Sequence, residues 1–273
     1  MDGDHGSADS PGGGPQPQTR LALADYFTLG NALCGFMAVW QLASAQLSQL
    51  PPGIEGPLQR GHLATAVILL LAAAVCDLFD GRVARKLGGS GMGAELDNLA
   101  DVISFGFAPA FFVVAWATTL PRGALAMVAA AAVLLAVVVR LARFSCQPPC
   151  ARYFTGLPSP FGAMAVITVV LLDPPAYLGI AAILTVAWLM VSRVEYPKPR
   201  GRLAIAILVW IVGSVGCLTA WAIDAPAGEA LLYSGSSLLF VLILTIPGYV
   251  LVTRRQARDE TEDNVAWSAV RES

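Results

Sequence analysis

The amino-acid sequence predicts an all-α, polytopic transmembrane helical bundle of about eight spans. Three observations carry this. Of 273 residues, 56% are hydrophobic and only 13% charged, where an ordinary soluble domain carries about a quarter charged residues. The apolar residues fall in blocks near the ~20-residue length that carries a helix across a bilayer, separated by short polar loops. The basic residues gather on alternate loops. Mean hydropathy is +0.65.

Taken in order, residues 1–19 (MDGDHGSADSPGGGPQPQT) are rich in Gly, Pro, Ser and Asp. They hold too little apolar surface to offset ordering entropy and read as a disordered tail, without the basic stretch and short apolar core of a signal peptide. Leu21 to Phe27 is apolar with polar interruptions, suited to the membrane interface ahead of the first span. The spans are predicted over 28–47, 63–86, 95–118, 123–144, 158–173, 176–193, 203–223 and 230–252. The fifth is short and starts at the Pro158-Ser159-Pro160 breaker. Residues 20–252 therefore form one transmembrane domain, and 253–273 a polar C-terminal tail.

Charge sets the orientation. With the N-terminus inside, the inner ends and loops collect Arg82, Arg85, Lys86, Arg140, Arg143, Arg152, Arg193, Lys198, Arg200, Arg202, Arg254, Arg255 and Arg258, while Arg60 and Arg122 stay outside. This follows the positive-inside rule, so both termini are expected in the cytosol and the protein in the cell membrane. The net charge of −2 is segregated by loop, and nucleic acid is not an expected partner. Cys34, Cys76 and Cys217 lie in apolar blocks, where cysteine acts as a small hydrophobe. Cys146 and Cys150 share a loop with no histidine near them, so neither a zinc site nor a disulfide framework is implied.

The acids carry the chemistry. The second span ends Asp77-Leu78-Phe79-Asp80-Gly81-Arg82-Val83-Ala84-Arg85, and the third opens Gly93-Ala94-Glu95-Leu96-Asp97-Asn98-Leu99-Ala100-Asp101. Carboxylates at the centre of a span cost about 2.5–3.5 kcal/mol each on insertion scales, so four of them need compensating charge. Asp77 and Asp80 are three apart, Asp97 and Asp101 four apart, and each pair shares a helix face. A short turn makes the two spans antiparallel neighbours, with both acidic faces turned into one pocket near the cytosolic surface. Such a set suits two hard divalent cations, Mg²⁺ or Mn²⁺, and a two-metal site clamps a pyrophosphate. Gly81 and Ala84 leave room for a nucleotide. Gly93 lets the third helix approach the second, and Arg85 faces phosphate at the rim.

The pattern Asp-x2-Asp-Gly-x2-Ala-Arg, seven residues, then Gly-x3-Asp-x3-Asp resembles the signature of the CDP-alcohol phosphatidyltransferase family, with eight defined positions matching. The resemblance implies a six-helix catalytic core plus two further spans, a homodimer, and displacement of CMP from a CDP-linked lipid by an alcohol. It implies Asp77, Asp80 and Asp97 as metal ligands and Asp101 as general base and a further ligand. Asn31, Asp77, Gly81, Ala84, Arg85 and Gly93 would bind the CDP group.

Further stretches are similar to one branch, the membrane-bound phosphatidylserine synthases: Thr28-Leu29-Gly30-Asn31, the run from Leu99 to Ala110, Arg140-Leu141-Ala142-Arg143-Phe144, and the run from Arg152 to Pro160. They imply CDP-diacylglycerol and serine as substrates. That branch usually has Asn where Ser145 stands here, which bears on the acceptor alone. Serine carries a carboxylate, and an arginine holds a carboxylate through two parallel hydrogen bonds. Arg140, Arg143, Ser145 and Arg152 are therefore the acceptor-binding candidates, with Arg140 the most internal. Gly106 and Pro109 read as packing or kink positions.

Other acceptors, glycerol 3-phosphate or inositol phosphate, fit the same chemistry. A membrane prenyltransferase also binds Mg²⁺-pyrophosphate on aspartates but lacks the Asp-Gly-x2-Ala-Arg element. A cation transporter calls for broken helices near mid-membrane, whereas these acids sit at one end.

Overall fold

The computed structural model describes residues 20–47, 60–120, 123–146, 153–193, 195–197 and 202–236. These are helical apart from one small ribbon. The helices are α1 (Leu23–Leu47), α2 (Arg60–Leu87), α3 (Gly93–Ala117), α4 (Gly123–Ser145), α5 (Ser159–Leu172), α6 (Ala176–Val191) and α7 (Arg202–Ala222). Residues 228–236 begin another helix, and the rest of the span predicted over 230–252 lies outside the described residues, as do both tails. The predicted bounds agree to within a few residues, except at the start. Leu23 already belongs to α1, so the expected interfacial segment is its first turn.

Among the described residues, α2, α3 and α4 are long and apolar enough to cross a membrane, and α5, α6 and residues Val212–Trp221 form shorter apolar helices. With the family described below, these make the chain a membrane protein. The outward faces agree: Trp40, Leu135, Trp188 and Val209 are exposed, a surface that only an apolar solvent tolerates at this extent.

Small residues set the packing. The buried stripe of α1 is Ala24, Thr28, Asn31, Gly35, Ala38, Leu42 and Ala45, spaced alternately by four and three, the period of a helix–helix seam. Without a hydrophobic drive inside a bilayer, such close backbone approach is what holds helices together. At Gly35 an added Cβ would lie 2.7 Å from the Ser104 Cα, so α1 and α3 cross nearly backbone to backbone. The core beneath is closed by Leu70, Leu71, Phe105, Phe112, Val137, Ile167 and Met190.

Helix α3 is not uniform. Its residues Val102–Phe107 form a π-helical stretch just before Pro109, which has no N–H to give and whose ring crowds the carbonyl four residues back. A wider turn relieves that crowding. Gly106 lies within it, where an added Cβ would sit 3.2 Å from Val137. The packing and kink expectations for Gly106 and Pro109 meet here, in a π segment of the kind that often borders functional sites.

Contacts between loops give each end of the bundle its members. At one end the start of α3 meets the end of α4 through Asn98 and Ser145. There too the α4–α5 and α6–α7 loops pair as an antiparallel ribbon of β1 (Tyr153–Thr155) and β2 (Glu195–Pro197). At the other end Trp116 bonds Asp173, and Arg60 pairs with Asp224 and Glu229. An apolar cavity of about 230 Å³ lies toward this second end, among Val67, Leu71, Met164 and Ile167. No charged residue lines it among the described residues, so the chemistry is to be sought at the first end.

Candidate active site

Helix α2 keeps its register through the Asp77–Asp80 turn and stops at Leu87. Gly88, at φ +88°, caps it by donating its N–H to the Ala84 carbonyl at 3.0 Å, a left-handed stop that favours glycine. The chain turns over Gly88–Met92 and enters α3, which brings Asp97 and Asp101 back beside α2. One carboxylate oxygen from each of Asp77, Asp97 and Asp101 lies within 4.8 Å of the others. Asp80 stands beside this trio, within hydrogen-bonding reach of Asp97, and its carboxylate accepts from the Thr28 hydroxyl at 3.0 Å.

The pocket has a third wall that the two-helix picture lacks. Helix α1 packs along both α2 and α3 and fills the wedge between them. Its Asn31 is fully buried and donates from Nδ2 to Asp101 Oδ1 at 3.1 Å, while the Asn31 backbone carbonyl accepts from Ser104 at 2.8 Å. Helix α4 supplies the fourth side. Arg140 is only 8% exposed, lies beside Asp77 and Asp101, and donates from Nη1 to the Ser159 hydroxyl at the start of α5.

Three buried side-chain atoms among the described residues have no hydrogen-bond partner: Asn31 Oδ1, Asp97 Oδ1 and Arg140 Nε. Each such atom costs roughly 1–3 kcal/mol, and native interiors hold few of them. All three fall on this one site. Clustered carboxylates with an unsatisfied oxygen are the hard, oxygen-only donor set that Mg²⁺ and Mn²⁺ take, so the residues present fit a divalent cation.

The remaining predicted residues sit as follows. Gly81 and Ala84 are half-buried on α2, and a Cβ on Gly81 would lie 3.4 Å from Arg85 Nη1. Arg85 is exposed at the rim. Gly93 faces α1 rather than α2: the group nearest its missing side chain is the Asp25 carboxylate, at 3.3 Å. Arg143 donates to the Val191 carbonyl at 2.7 Å, tying α4 to the end of α6. Ser145 is exposed and accepts from Asn98 at 2.9 Å. Arg152 lies outside the described residues. Thr28, Asp25 and Ser159 were not singled out from the sequence. Thr28 had a usable signal, three residues before Asn31 on one helical face. Ser159 had none beyond its place after a proline.

Comparison with known proteins gives the chain its relatives. A family described as CDP-alcohol phosphatidyltransferase matches residues 21–222. The archaetidylserine synthase of Methanothermobacter thermautotrophicus is 32% identical over 66% of this chain and 72% of its own length. The CDP-diacylglycerol–serine O-phosphatidyltransferase of Bacillus subtilis is 30% identical over 62% of this chain and 86% of its own. That of Mycobacterium leprae is 47% identical over a shorter stretch, 37% of this chain and 36% of its own.

Proposed function

This chain belongs to the CDP-alcohol phosphatidyltransferase family, and on that premise we propose that it transfers the phosphatidyl group of CDP-diacylglycerol to the hydroxyl of L-serine, forming phosphatidylserine and releasing CMP. The observation that carries the reading is the convergence of Asp77, Asp97 and Asp101 beside a buried arginine, Arg140. The relatives named as serine transferases support the choice of acceptor.

The residues have distinct tasks. Asp77, Asp80, Asp97 and Asp101 are the residues to hold two divalent cations, Mg²⁺ or Mn²⁺. Bound there, the cations supply positive charge against the pyrophosphate and the departing CMP. Asp101 is the base. Asn31 holds its carboxylate from one side, and the carboxylate takes the proton of the serine hydroxyl as that oxygen forms a bond to the lipid-bearing phosphorus. The bond from that phosphorus to the oxygen bridging it to CMP breaks, and CMP leaves with the electron pair. Gly81, Ala84 and Gly93 keep the nucleotide side open, and Arg85 faces its phosphates. Arg140 engages the serine carboxylate, with Arg143, Ser145 and Arg152 as further acceptor-binding candidates.

Loop charge supports the membrane frame: about eight spans, with the acid-bearing end and both termini toward the cytosol. A homodimer follows from the family resemblance.

The test is direct. Purified protein with CDP-diacylglycerol and Mg²⁺ or Mn²⁺ is offered serine, glycerol 3-phosphate and inositol phosphate in turn, and CMP is measured. Release with serine is expected. Release with another alcohol but not serine overturns the acceptor, and release with none overturns the reaction.

A further inference from the structure

We infer that Asn31 recognises the ammonium group of the acceptor, a role distinct from the nucleotide contact that its position in the first span suggests. The inference rests on the serine reading above and deepens it.

The side-chain amide of Asn31 has one possible orientation. Asp101 accepts and, ionised, cannot donate, so Nδ2 must face it, as it does at 3.1 Å. Oδ1 is then turned away from Asp101. It is buried and has no partner. The Ser104 hydroxyl on α3 is already bonded to the Asn31 backbone carbonyl. On the arginine side the situation is complementary: Nη1 of Arg140 is bonded to Ser159, and Nε is a buried donor without a partner. Asp101 is linked to both residues, by a hydrogen bond to Asn31 and by proximity to Arg140.

A base flanked by one free acceptor and one free donor matches a hydroxylated amino acid. Its hydroxyl meets Asp101, its ammonium meets Asn31 Oδ1, and its carboxylate meets Arg140 Nε. Every orphan atom except Asp97 Oδ1, which belongs to the metal-binding trio, then finds a partner. A neutral amide suits the ammonium here, because another carboxylate would add negative charge to a cluster that already holds four. A phosphorylated alcohol offers no cation to this oxygen, so the contact to Asn31 Oδ1 is what favours the amino acid over it, Arg140 being able to pair with either anion.

The experiment compares three acceptors on wild type and Asn31→Ala: serine, 3-hydroxypropionate, which lacks the ammonium, and ethanolamine, which lacks the carboxylate. Wild type is expected to prefer serine over 3-hydroxypropionate in kcat/KM. In the variant that preference is expected to shrink by about 10- to 100-fold, the range for a hydrogen bond to a charged group. The serine-to-ethanolamine ratio and the KM for CDP-diacylglycerol are expected to hold. Ratios cancel any general loss from disturbing Asp101. Titration of serine and 3-hydroxypropionate into CMP- and Mg²⁺-loaded protein reads the same preference without turnover. Asn31→Ser, with a polar group kept at the helix crossing, carries the same expectation if the alanine variant does not fold. An unchanged serine preference overturns the inference, as does a raised KM for CDP-diacylglycerol with the preference intact. Wild type that releases CMP only with other alcohols instead overturns the serine reading, before any variant is compared.

Discussion

The Thr28 hydroxyl donates to the Asp80 carboxylate at 3.0 Å, joining residues 52 positions apart in a buried contact between α1 and α2. Asp80 is only 7% exposed, so it depends on such donors. Thr28→Val preserves the shape of the side chain and removes the hydrogen bond. With roughly 1.5–3 kcal/mol in a hydrogen bond to a charged group, CMP release is expected to fall about 10- to 100-fold. Thr28→Ser restores most of it. Equal rates for Val and Ser would remove Asp80 orientation from the account.

Asp101→Asn keeps the volume and removes the base. Loss of a positioned base costs about 10²- to 10⁴-fold. The variant is expected to bind CDP-diacylglycerol while releasing almost no CMP, measured by nucleotide binding alongside turnover. Near-normal turnover contradicts the assignment.

Chelation with EDTA is expected to abolish CMP release, and Mg²⁺ or Mn²⁺ to restore it. Ligand-linked stabilisation makes a second readout. Divalent cation is expected to raise the melting temperature of the wild type and to lose that effect in Asp77→Asn and Asp97→Asn. A metal-induced shift that survives in both variants places the cation elsewhere.

Ser159 acts through Arg140. Ser159→Ala removes the hydroxyl that fixes Nη1, and the KM for serine is expected to rise about 3- to 10-fold, in line with a net contribution near 1 kcal/mol. The KM for CDP-diacylglycerol stays put. A change in both points to general damage to the α4–α5 contact rather than to positioning.

Two glycines on different helices contrast packing with open space. Gly35→Val drives a side chain into Ser104 at the α1–α3 crossing, where overpacking costs roughly 1–3 kcal/mol. The melting temperature and CMP release are expected to drop together. Gly213→Ala meets nothing within 4 Å among the described residues and is expected to leave both unchanged. Tolerance of Gly35→Val would mean the crossing is loose.

The helices were legible because apolar blocks of this length admit few other structures, and their bounds follow from Pro158-Ser159-Pro160 and the polar loops. The four acids were legible from their spacing, which fixes a shared face without any knowledge of neighbours. What stayed hidden depends on tertiary contact. No local signal says that α1 wedges between α2 and α3, so Thr28 stood only as a member of the stretch around Asn31 and Gly93 looked like a contact for α2. Arg143 and Arg140 carry the same charge three residues apart. Only packing separates them, sending one to a backbone carbonyl of α6 and the other to the acids. The π stretch was visible merely as a glycine and a proline in an apolar run.

The crossing of α1 and α3 at Gly35 and Ser104 also acts as a fulcrum. Transmembrane helices tilt to suit the thickness of the bilayer around them. Because two backbones are in near contact here, tilting must pivot about this point instead of compressing side chains between the helices. Asn31 lies four residues from the pivot, about 6 Å at 1.5 Å per residue, so a tilt of roughly 10° moves it by ~1 Å. The far end of α1 at Leu47 is twelve residues away, about 18 Å, and the same tilt moves it by ~3 Å. Asn31 lies close to the pivot and moves little, while the two ends of α1, Leu23 and Leu47, each twelve residues from Gly35, take up changes in the lipid.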